Sequence, residues 1–215
     1  MAWTESITHR FVGAAAAAGS ATHRQRRWHM LAETFPIADM TVLDMGGTAE
    51  SWRLCPAQPA RLVLLNTFPQ ESTAEVVIGD ACAPPPELRS EHFDLVFSNS
   101  VIEHVGGHWR RERFADVVRD LGEHHWIQTP NRYFPVEPHW LCPGLQYLPL
   151  KARAYVGAKW PLGNMAAWHV SLARSLELAQ AIELLEAAQM RYYFPSSRIL
   201  RERFAGLTKS LIAVR

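Results

Sequence analysis

The sequence of 215 residues is long enough to bury a sizeable core, and its hydrophobic content of 48% and charged content of 20% are those of an ordinary globular protein. A formal net charge of +1 argues against a nucleic-acid partner, which would require a strongly basic surface. No apolar run approaches the length of a membrane span, and three scattered cysteines outside any metal-ligand spacing are typical of reduced thiols, so we expect a cytoplasmic protein.

Residues 1–37 predict an N-terminal helical arm at the start of a single domain that covers residues 1–215. From about residue 20 to residue 35 the pattern is polar and compatible with a helix, and Trp28, Leu31 and Phe35 recur on one face. Pro36 ends this pattern before the first strand.

Short apolar runs that end in polar residues or glycine predict five strands in succession. A helical pattern before the fifth strand ends at Leu121 and is interrupted at Gly106-Gly107. The predicted strands cover residues 41–45, 61–65, 74–78, 93–97 and 125–129.

Beyond the fifth strand the pattern changes. Residues 131–168 are rich in proline, glycine and aromatic residues and show no clean period, which predicts an insertion. A helix over residues 171–188 follows, and residues 190–194 and 207–214 predict a closing pair of strands. The fold class is therefore α/β: a Rossmann-like, doubly wound, mostly parallel seven-stranded sheet with a C-terminal antiparallel strand.

The loop after the first strand is the segment most informative about function. Asp44 lies near the end of that strand and is followed by Gly46 and Gly47. Glycines let the backbone approach a ligand closely, and a carboxylate at the carboxyl end of a strand faces the ligand crevice of a doubly wound sheet. The same pattern also fits a carboxylate that only caps its own loop.

Three segments together resemble the class I S-adenosylmethionine-dependent methyltransferases, especially the small type-11 group. Val42-Leu-Asp-Met-Gly46 looks like the first motif, whose loop wraps the methionine part of the cofactor, and Gly79-Asp80-Ala81 is similar to the motif whose aspartate bonds the adenine amino group. Residues 93–104 resemble the fourth strand and its turn, and the whole resemblance covers residues 38–130. It implies S-adenosylmethionine as cofactor, bound by Asp44, Gly46, Asn66, Asp80, Ala81 and Ser98.

Two positions depart from the family pattern. Thr48 replaces a glycine, and Asn66 replaces the acidic residue that grips the ribose hydroxyls. Asparagine can accept one hydrogen bond and donate another, but it lacks the strength of a charged acceptor. Asn66 therefore fits either a ribose ligand or a loop cap, and Asp80 fits either an adenine contact or an Asx-turn.

Glu103 and His104 are the candidate catalytic pair. They resemble a Glu-His pair of the ubiquinone-pathway O-methyltransferases, which helps to hold a divalent cation, so the resemblance implies Mg²⁺ bound by Glu103 and His104. Two further interpretations stay open: His104 is a general base that removes the acceptor's proton, or both residues are structural. Adjacent residues can share a ligand from a turn or a helix start, but not from the middle of a helix.

The insertion is expected to bind the acceptor, because related methyltransferases build acceptor pockets after the fifth strand. Its aromatic side chains suit the apolar faces of sugars or other rings, and we expect contacts from Tyr133, His139, Trp140 and His169. The preferred acceptor is a sugar or oligosaccharide, by resemblance to mycobacterial methylmannose-oligosaccharide O-methyltransferases, with a quinone or phenol as the alternative. A lid or a homodimer interface is an equally consistent use of these aromatics.

Two other classes of function remain. One is a non-catalytic subunit that keeps the methyltransferase fold for binding, which the departures at Thr48 and Asn66 favour. The other is a nicotinamide oxidoreductase, which the sequence disfavours because Gly46-Gly47-Thr48-Ala49 lacks the G-x-G-x-x-G spacing.

Overall fold

The computed structural model describes residues 24–160, 162–163 and 170–215. The chain forms two compact units. The sheet unit comprises Ala32–Phe134 and Ala181–Arg215, and the insertion unit comprises Met1–Leu31 and Pro135–Gln180. Within the part of the chain that is described, no helix has both the length and the apolarity that a bilayer crossing requires.

The sheet unit contains a seven-stranded sheet, as predicted. Strands β1 to β5 are parallel in the order β3-β2-β1-β4-β5, and β9 then pairs antiparallel with both β5 and β8. The mostly parallel α/β sheet with an antiparallel C-terminal strand is therefore confirmed. The strands are β1 (Thr41–Met45), β2 (Arg61–Asn66), β3 (Glu75–Ile78), β4 (Phe93–Asn99), β5 (Gly122–Pro130), β8 (Arg198–Phe204) and β9 (Leu207–Val214).

The central strands are buried on both faces. Four consecutive residues of β1, Val42 to Met45, are buried, and so are Leu95 to Ser98 of β4. Consecutive burial requires cover on both sides of the sheet, which explains why these strands show continuous apolar runs in the sequence and not an alternating pattern. One core cluster joins these strands to the apolar side chains of the helices.

The helices begin and end at recognisable signals. The helix predicted within the arm covers residues 24–34, and Trp28, Leu31 and Phe35 are buried. The fourth helix starts directly after Gly107, where the sequence indicated an interruption. The helices of the described residues are α1 (24–34), α2 (Ala49–Trp52), α3 (Pro86–Arg89), α4 (His108–Leu121), α5 (Leu150–Gly157), α6 (Leu172–Gln180) and α7 (Ala187–Tyr193).

Two predictions near the C-terminus are wrong. The helix expected over residues 171–188 is two helices, α6 and α7, separated by an extended segment. The strand expected over residues 190–194 is the second half of α7, which a capping box of Glu186 and Gln189 starts. Met190 and Tyr193 face the core three residues apart, which is helical spacing.

The insertion unit is built from short elements. A hairpin of β6 (Val136–Glu137) and β7 (Cys142–Pro143) precedes α5. Helices α5 and α6 approach closely, and the Ser175 hydroxyl donates to the Ala154 carbonyl over 2.7 Å. At Gly157 an added Cβ would lie 3.1 Å from both the Ser175 hydroxyl and the Trp140 indole nitrogen, so this contact needs a small residue.

Candidate functional site

The predicted cofactor residues lie at one edge of the sheet. The strand order reverses between β1 and β4, and ligands of doubly wound sheets bind outside the carboxyl ends of the strands at such a reversal. Asp44 of β1 is opposite Phe97 of β4, one residue before Ser98. Asn66 ends β2, and Asp80 follows β3 by two residues. The fold therefore collects the predicted residues at the carboxyl ends of four neighbouring strands.

Asp44 is fully buried at this edge. Its Oδ2 accepts a hydrogen bond of 2.8 Å from the Trp52 indole nitrogen, whereas its Oδ1 has no hydrogen-bond partner among the described residues. Burial raises the pKa of the Asp44 carboxyl to about 7, against the opposing effects of the Trp52 hydrogen bond and the Gly47 amide. A buried oxygen without a donor is costly, so this carboxyl is suited to accept a hydrogen bond from a ligand.

The loop after β1 has no room for side chains at its glycines. Gly46 has a φ of +92°, and a Cβ there would lie 2.5 Å from a methyl carbon of Val101. A Cβ on Gly47 would lie 1.7 Å from Oδ2 of Asp44, so the backbone of Gly47 rests directly on the carboxylate. The loop ends at Thr48, whose hydroxyl accepts a 3.3 Å hydrogen bond from the Ser51 amide and caps α2. This cap explains why residue 48 is a threonine where the resemblance led us to expect a glycine.

Asn66 holds the same loop from the side of β2. Its buried side-chain amide donates to the Gly47 carbonyl over 2.8 Å, and the Gln70 amide donates to the same carbonyl over 3.2 Å. A carboxylate at residue 66 could accept but not donate, so it could not make this bond. The loop cap is thus the contact observed for Asn66, and its ribose contact stays a prediction.

Asp80 makes both an Asx-turn and an ion pair. Its Oδ1 accepts from the Cys82 amide over 2.9 Å, and both carboxylate oxygens accept from Arg110 over 2.7–2.8 Å. Burial alone would raise the pKa of Asp80, but the hydrogen bond from Arg110 and the Cys82 amide outweigh it and lower the pKa. Ala81 is partly buried against the core. Asp80 is therefore ionised and oriented, and its adenine contact stays a prediction.

Ser98 acts locally through its side chain. It is fully buried, and its hydroxyl donates to the Met45 carbonyl over 2.9 Å, which ties the end of β4 to the end of β1. Beyond β4 the backbone turns sharply at Ser100, whose φ is +59°. The Ser100 hydroxyl donates to the Gln128 side chain over 2.9 Å, which bonds this turn to β5.

Glu103 and His104 lie on a turn, which is the geometry that two adjacent residues need to serve one ligand. Glu103 is buried and its Oε2 accepts from the Thr129 hydroxyl over 3.0 Å, whereas His104 is exposed. A carboxylate oxygen of Glu103 and a ring nitrogen of His104 lie within 4.8 Å of each other. The pair could orient an imidazole base or offer two ligands to a cation.

The predicted acceptor residues are distributed over both units. In the sheet unit, Tyr133 is exposed and its hydroxyl donates to Glu186. In the insertion unit, a ring nitrogen of His139 lies 2.7 Å from a Glu137 oxygen. Trp140 is buried there, and its carbonyl accepts from the indole nitrogen of Trp160 over 2.8 Å. His169 lies outside the described residues.

Several residues around the site were not predicted from the sequence. Trp52 and Arg110 bond the two aspartates from helices α2 and α4, and Thr129 bonds Glu103 from the end of β5. Thr129 had a signal, because it is a polar residue at the carboxyl end of a predicted strand. Trp52 and Arg110 had none, because their contacts depend on how two helices pack against the sheet.

Solved structures with a similar fold are known, although no protein-family model and no curated protein matches the sequence. One is the magnesium protoporphyrin IX methyltransferase ChlM from Synechocystis PCC 6803 with bound SAH, at 11% identity over 92% of this chain and 84% of that chain, with a TM-score of 0.54. Another is the N-terminal domain of EvdMO1, in the presence of SAH and D-fucose, at 15% identity over 89% and 81%, with a TM-score of 0.52.

A third similar structure is named as an alcohol dehydrogenase and not as a methyltransferase. It is a Rhodobacter sphaeroides protein assigned to the Zn-dependent alcohol dehydrogenases, at 10% identity over 82% of this chain and 83% of that chain, with a TM-score of 0.55. At these identities the similarity shows the fold alone, a Rossmann-like α/β fold, and the chemistry must be argued from the site itself.

Proposed function

We propose that this protein is an S-adenosylmethionine-dependent methyltransferase that methylates an acceptor hydroxyl, preferably of a sugar or oligosaccharide. The observation that carries the proposal is the buried Asp44 carboxyl, with one oxygen lacking a partner among the described residues, beneath a loop where Gly47 leaves no space for a Cβ. The penalty of burying a carboxyl at the reversal of a parallel sheet is high, and the hydrogen bond from the Trp52 indole offsets it only in part. A polar ligand at this edge supplies the missing donor.

The cofactor would bind across the ends of β1 to β4. Asp44 and Gly46 would contact the methionine part, Asn66 the ribose, Asp80 and Ala81 the adenine, and the backbone near Ser98 the amino group. The Asp44 carboxyl, with its pKa near 7, would become more ionised as a positively charged ligand approached. Asn66 already holds the loop, so its remaining acceptor capacity would serve the ribose with less strength than a carboxylate.

Catalysis would require alignment of donor and acceptor more than new covalent chemistry. Methyl transfer is an in-line attack on a sulfonium carbon, so most of the acceleration comes from holding the two reactants in line and excluding water. An aliphatic hydroxyl reacts only as its proton leaves, and His104 would take that proton as general base, a contribution of about 10²–10⁴-fold. Buried Glu103, within 4.8 Å of a His104 ring nitrogen, would favour the protonated imidazole that results.

A divalent cation is the alternative means of activating the hydroxyl. Within the sheet unit, Glu103 and His104 would supply one carboxylate and one imidazole, and the acceptor's oxygens would complete the coordination. Such a cation would lower the pKa of the hydroxyl and orient it. If Mg²⁺ takes part, dialysis against EDTA should abolish methyl transfer and added Mg²⁺ should restore it; full activity after EDTA would leave His104 as the base.

The acceptor is proposed from chemistry and from one similar structure. Tyr133 presents an exposed ring with its hydroxyl bonded to Glu186, which is a surface that suits the apolar face of a sugar. The EvdMO1 domain, studied in the presence of D-fucose, supports a sugar acceptor. The same proposal includes an acceptor of the methylmannose-oligosaccharide class and contacts from His139, Trp140 and His169. It also includes a homodimer and a cytoplasmic location. A quinone or phenol is the alternative acceptor.

The proposal is tested by transfer of labelled methyl from S-adenosylmethionine to a panel of sugars, phenols and lipids. For the wild type, we expect labelled methyl on a hydroxyl of one of the sugars. In His104→Ala, turnover should fall by 10²-fold or more relative to the wild type, while the affinity for the cofactor stays unchanged. Transfer to phenols alone would select the alternative acceptor. Full turnover in His104→Ala would remove this residue from the mechanism.

A non-catalytic binding subunit is the second candidate. Two contacts favour it, because they occupy groups that the cofactor would need. The Asn66 amide donates to the Gly47 carbonyl, and the Asp80 carboxylate accepts from Arg110. This candidate predicts cofactor uptake that is weak or undetectable and no methyl transfer to any acceptor in the panel.

A further inference from the structure

An extended segment connects α6 to α7 and contacts the turn that carries the candidate catalytic pair. Residues 181–186, called the strap, contain no helix. Three of their side chains, Ile182, Leu184 and Leu185, are buried, which anchors the strap against apolar surface. The residues from which the inference is argued all belong to the sheet unit.

The strap is bonded to the end of β5. Leu185 forms a parallel bridge with Asn131, and the Arg132 amide donates to the Leu185 carbonyl over 2.8 Å. Glu186, at the end of the strap, accepts from the Tyr133 hydroxyl and caps α7. These bonds place the strap along the same carboxyl edge of the sheet where the predicted site lies.

The strap also holds the backbone of Glu103. The Glu183 amide donates to the Glu103 carbonyl over 2.9 Å, while the Glu103 carboxylate accepts from Thr129. Glu103 is thus held at its main chain by the strap and at its side chain by β5. Since His104 is the next residue, this anchor also restrains the backbone from which its ring projects.

An ion pair fixes Glu183 itself. The Arg111 side chain of α4 is only 1% exposed, and its Nη2 lies 2.5 Å from Oε2 of Glu183, which is 52% exposed. Nε and Nη2 of Arg111 have no hydrogen bond of good geometry among the described residues, and the charge of the Glu183 carboxylate compensates for this buried cation. Removing one partner of a buried ion pair is costly because the other is left uncompensated.

We propose that Arg111 and Glu183 are positioning residues that hold the Glu103–His104 turn in place for methyl transfer, through the strap. The inference rests on the proposed function. The cofactor loop is held by other contacts, from Asn66 and Gln70, so loss of the ion pair should affect the acceptor step and spare cofactor binding. A displacement of about 1 Å at a reacting group can cost on the order of 10²-fold in rate.

The test compares Glu183→Gln with the wild type, because this change removes the charge at a half-exposed position and keeps the backbone amide. Amide hydrogen exchange at residues 181–186 should rise at least tenfold, kcat should fall about tenfold or more, and the Kd for S-adenosylhomocysteine should change less than twofold. Glu183→Asp, which retains the charge, should recover part of kcat. Glu177→Gln is the matched control, because it removes an exposed ion pair with Arg174 on α6 and should change none of these values.

Two results would overturn the inference: exchange of the strap at the wild-type rate in Glu183→Gln, or a loss of kcat that is matched by an equal loss of cofactor affinity. Failure of the proposed function is a separate outcome, since it would show as absence of methyl transfer in the wild type. The exchange measurement needs no activity and decides whether the ion pair holds the strap.

Discussion

At the residue scale, the buried environment of Asp44 disfavours a charged carboxyl. A carboxyl with no exposed surface is stable in a folded chain only when hydrogen bonds or protonation compensate for lost hydration. Trp52 and Gly47 provide part of this compensation, and the rise of the pKa to about 7 shows that it is incomplete. The buried Asp44 carboxyl therefore lowers the stability of the folded chain when it is charged, and it is suited to bind a ligand that donates a hydrogen bond.

The pH dependence of stability follows from this carboxyl. The folded-state pKa of about 7 lies above the ordinary value of 3.8, so the folded protein keeps a proton that the unfolded chain releases. Its contribution is fully present below the unfolded pKa and is lost as the pH rises through about 7. Asp44→Asn removes this titration, so the wild type should lose on the order of 3 kcal/mol relative to the variant between about pH 4 and pH 8.

Chemical denaturation of both proteins across this pH range measures the difference in the free energy of unfolding. Using the difference cancels the other titrating groups that the two proteins share. Parallel curves for the two proteins would mean that Asp44 titrates as it does in the unfolded chain. The same variant should bind S-adenosylmethionine at least tenfold more weakly at pH 8.

The second residue-scale prediction concerns Gly47. In Gly47→Ala the new Cβ must displace the Asp44 carboxylate or the loop, so cofactor affinity should fall by 10²-fold or more. Gly107→Ala is the matched control, because an added Cβ there meets nothing within 4 Å. Calorimetry on the two variants tests the prediction, and equal affinities would show that the loop does not contact the ligand.

At the element scale, the glycine loop is held by the segment from Thr41 to Trp52 and by the end of β2. The sequence alone was sufficient to predict β1, because the strand begins with a short apolar run that ends at Asp44, and to predict the loop, because of its paired glycines. It could not assign Asn66, since an asparagine side chain fits both a ribose ligand and a loop cap. The choice depends on the 2.8 Å distance to Gly47, which only the fold supplies.

The Asn66→Asp variant tests that assignment. It removes the donor to the Gly47 carbonyl and leaves two acceptors facing each other, so the free energy of unfolding should fall by about 1–2 kcal/mol and cofactor affinity should fall with it. Thermal unfolding and calorimetry measure both quantities. Tighter cofactor binding in this variant, which has the residue usual in the family, would show that the ribose contact dominates over the loop bond.

The C-terminal elements show why some patterns in a sequence mislead. Met190 to Phe194 is a short, mostly aromatic segment that fits a strand or one turn and a half of helix equally well, and the capping box at Glu186 decides for the helix. The hairpin partner of β9 is β8, which carries four charged residues, Arg198, Arg201, Glu202 and Arg203, among its seven. A charged edge strand lacks an apolar run because its outer side is exposed to solvent.

At the scale of the whole molecule, the alternation of strands and helices was enough to predict the sheet, including its antiparallel C-terminal strand. The site was predictable only to the level of strand ends, because topology brings Asp44, Asn66 and Asp80 to one edge whatever their individual contacts. The partners that tune them, Trp52 and Arg110, come from helices whose packing no local pattern specifies.

The central claim is that this edge of the sheet binds S-adenosylmethionine, and isothermal titration calorimetry tests it most directly. We expect one molecule of S-adenosylmethionine or S-adenosylhomocysteine per chain, affinity that strengthens as the pH rises through about 7, and no uptake of NADH. Absence of heat with both sulfur compounds at saturating concentration, on folded protein, would contradict the account.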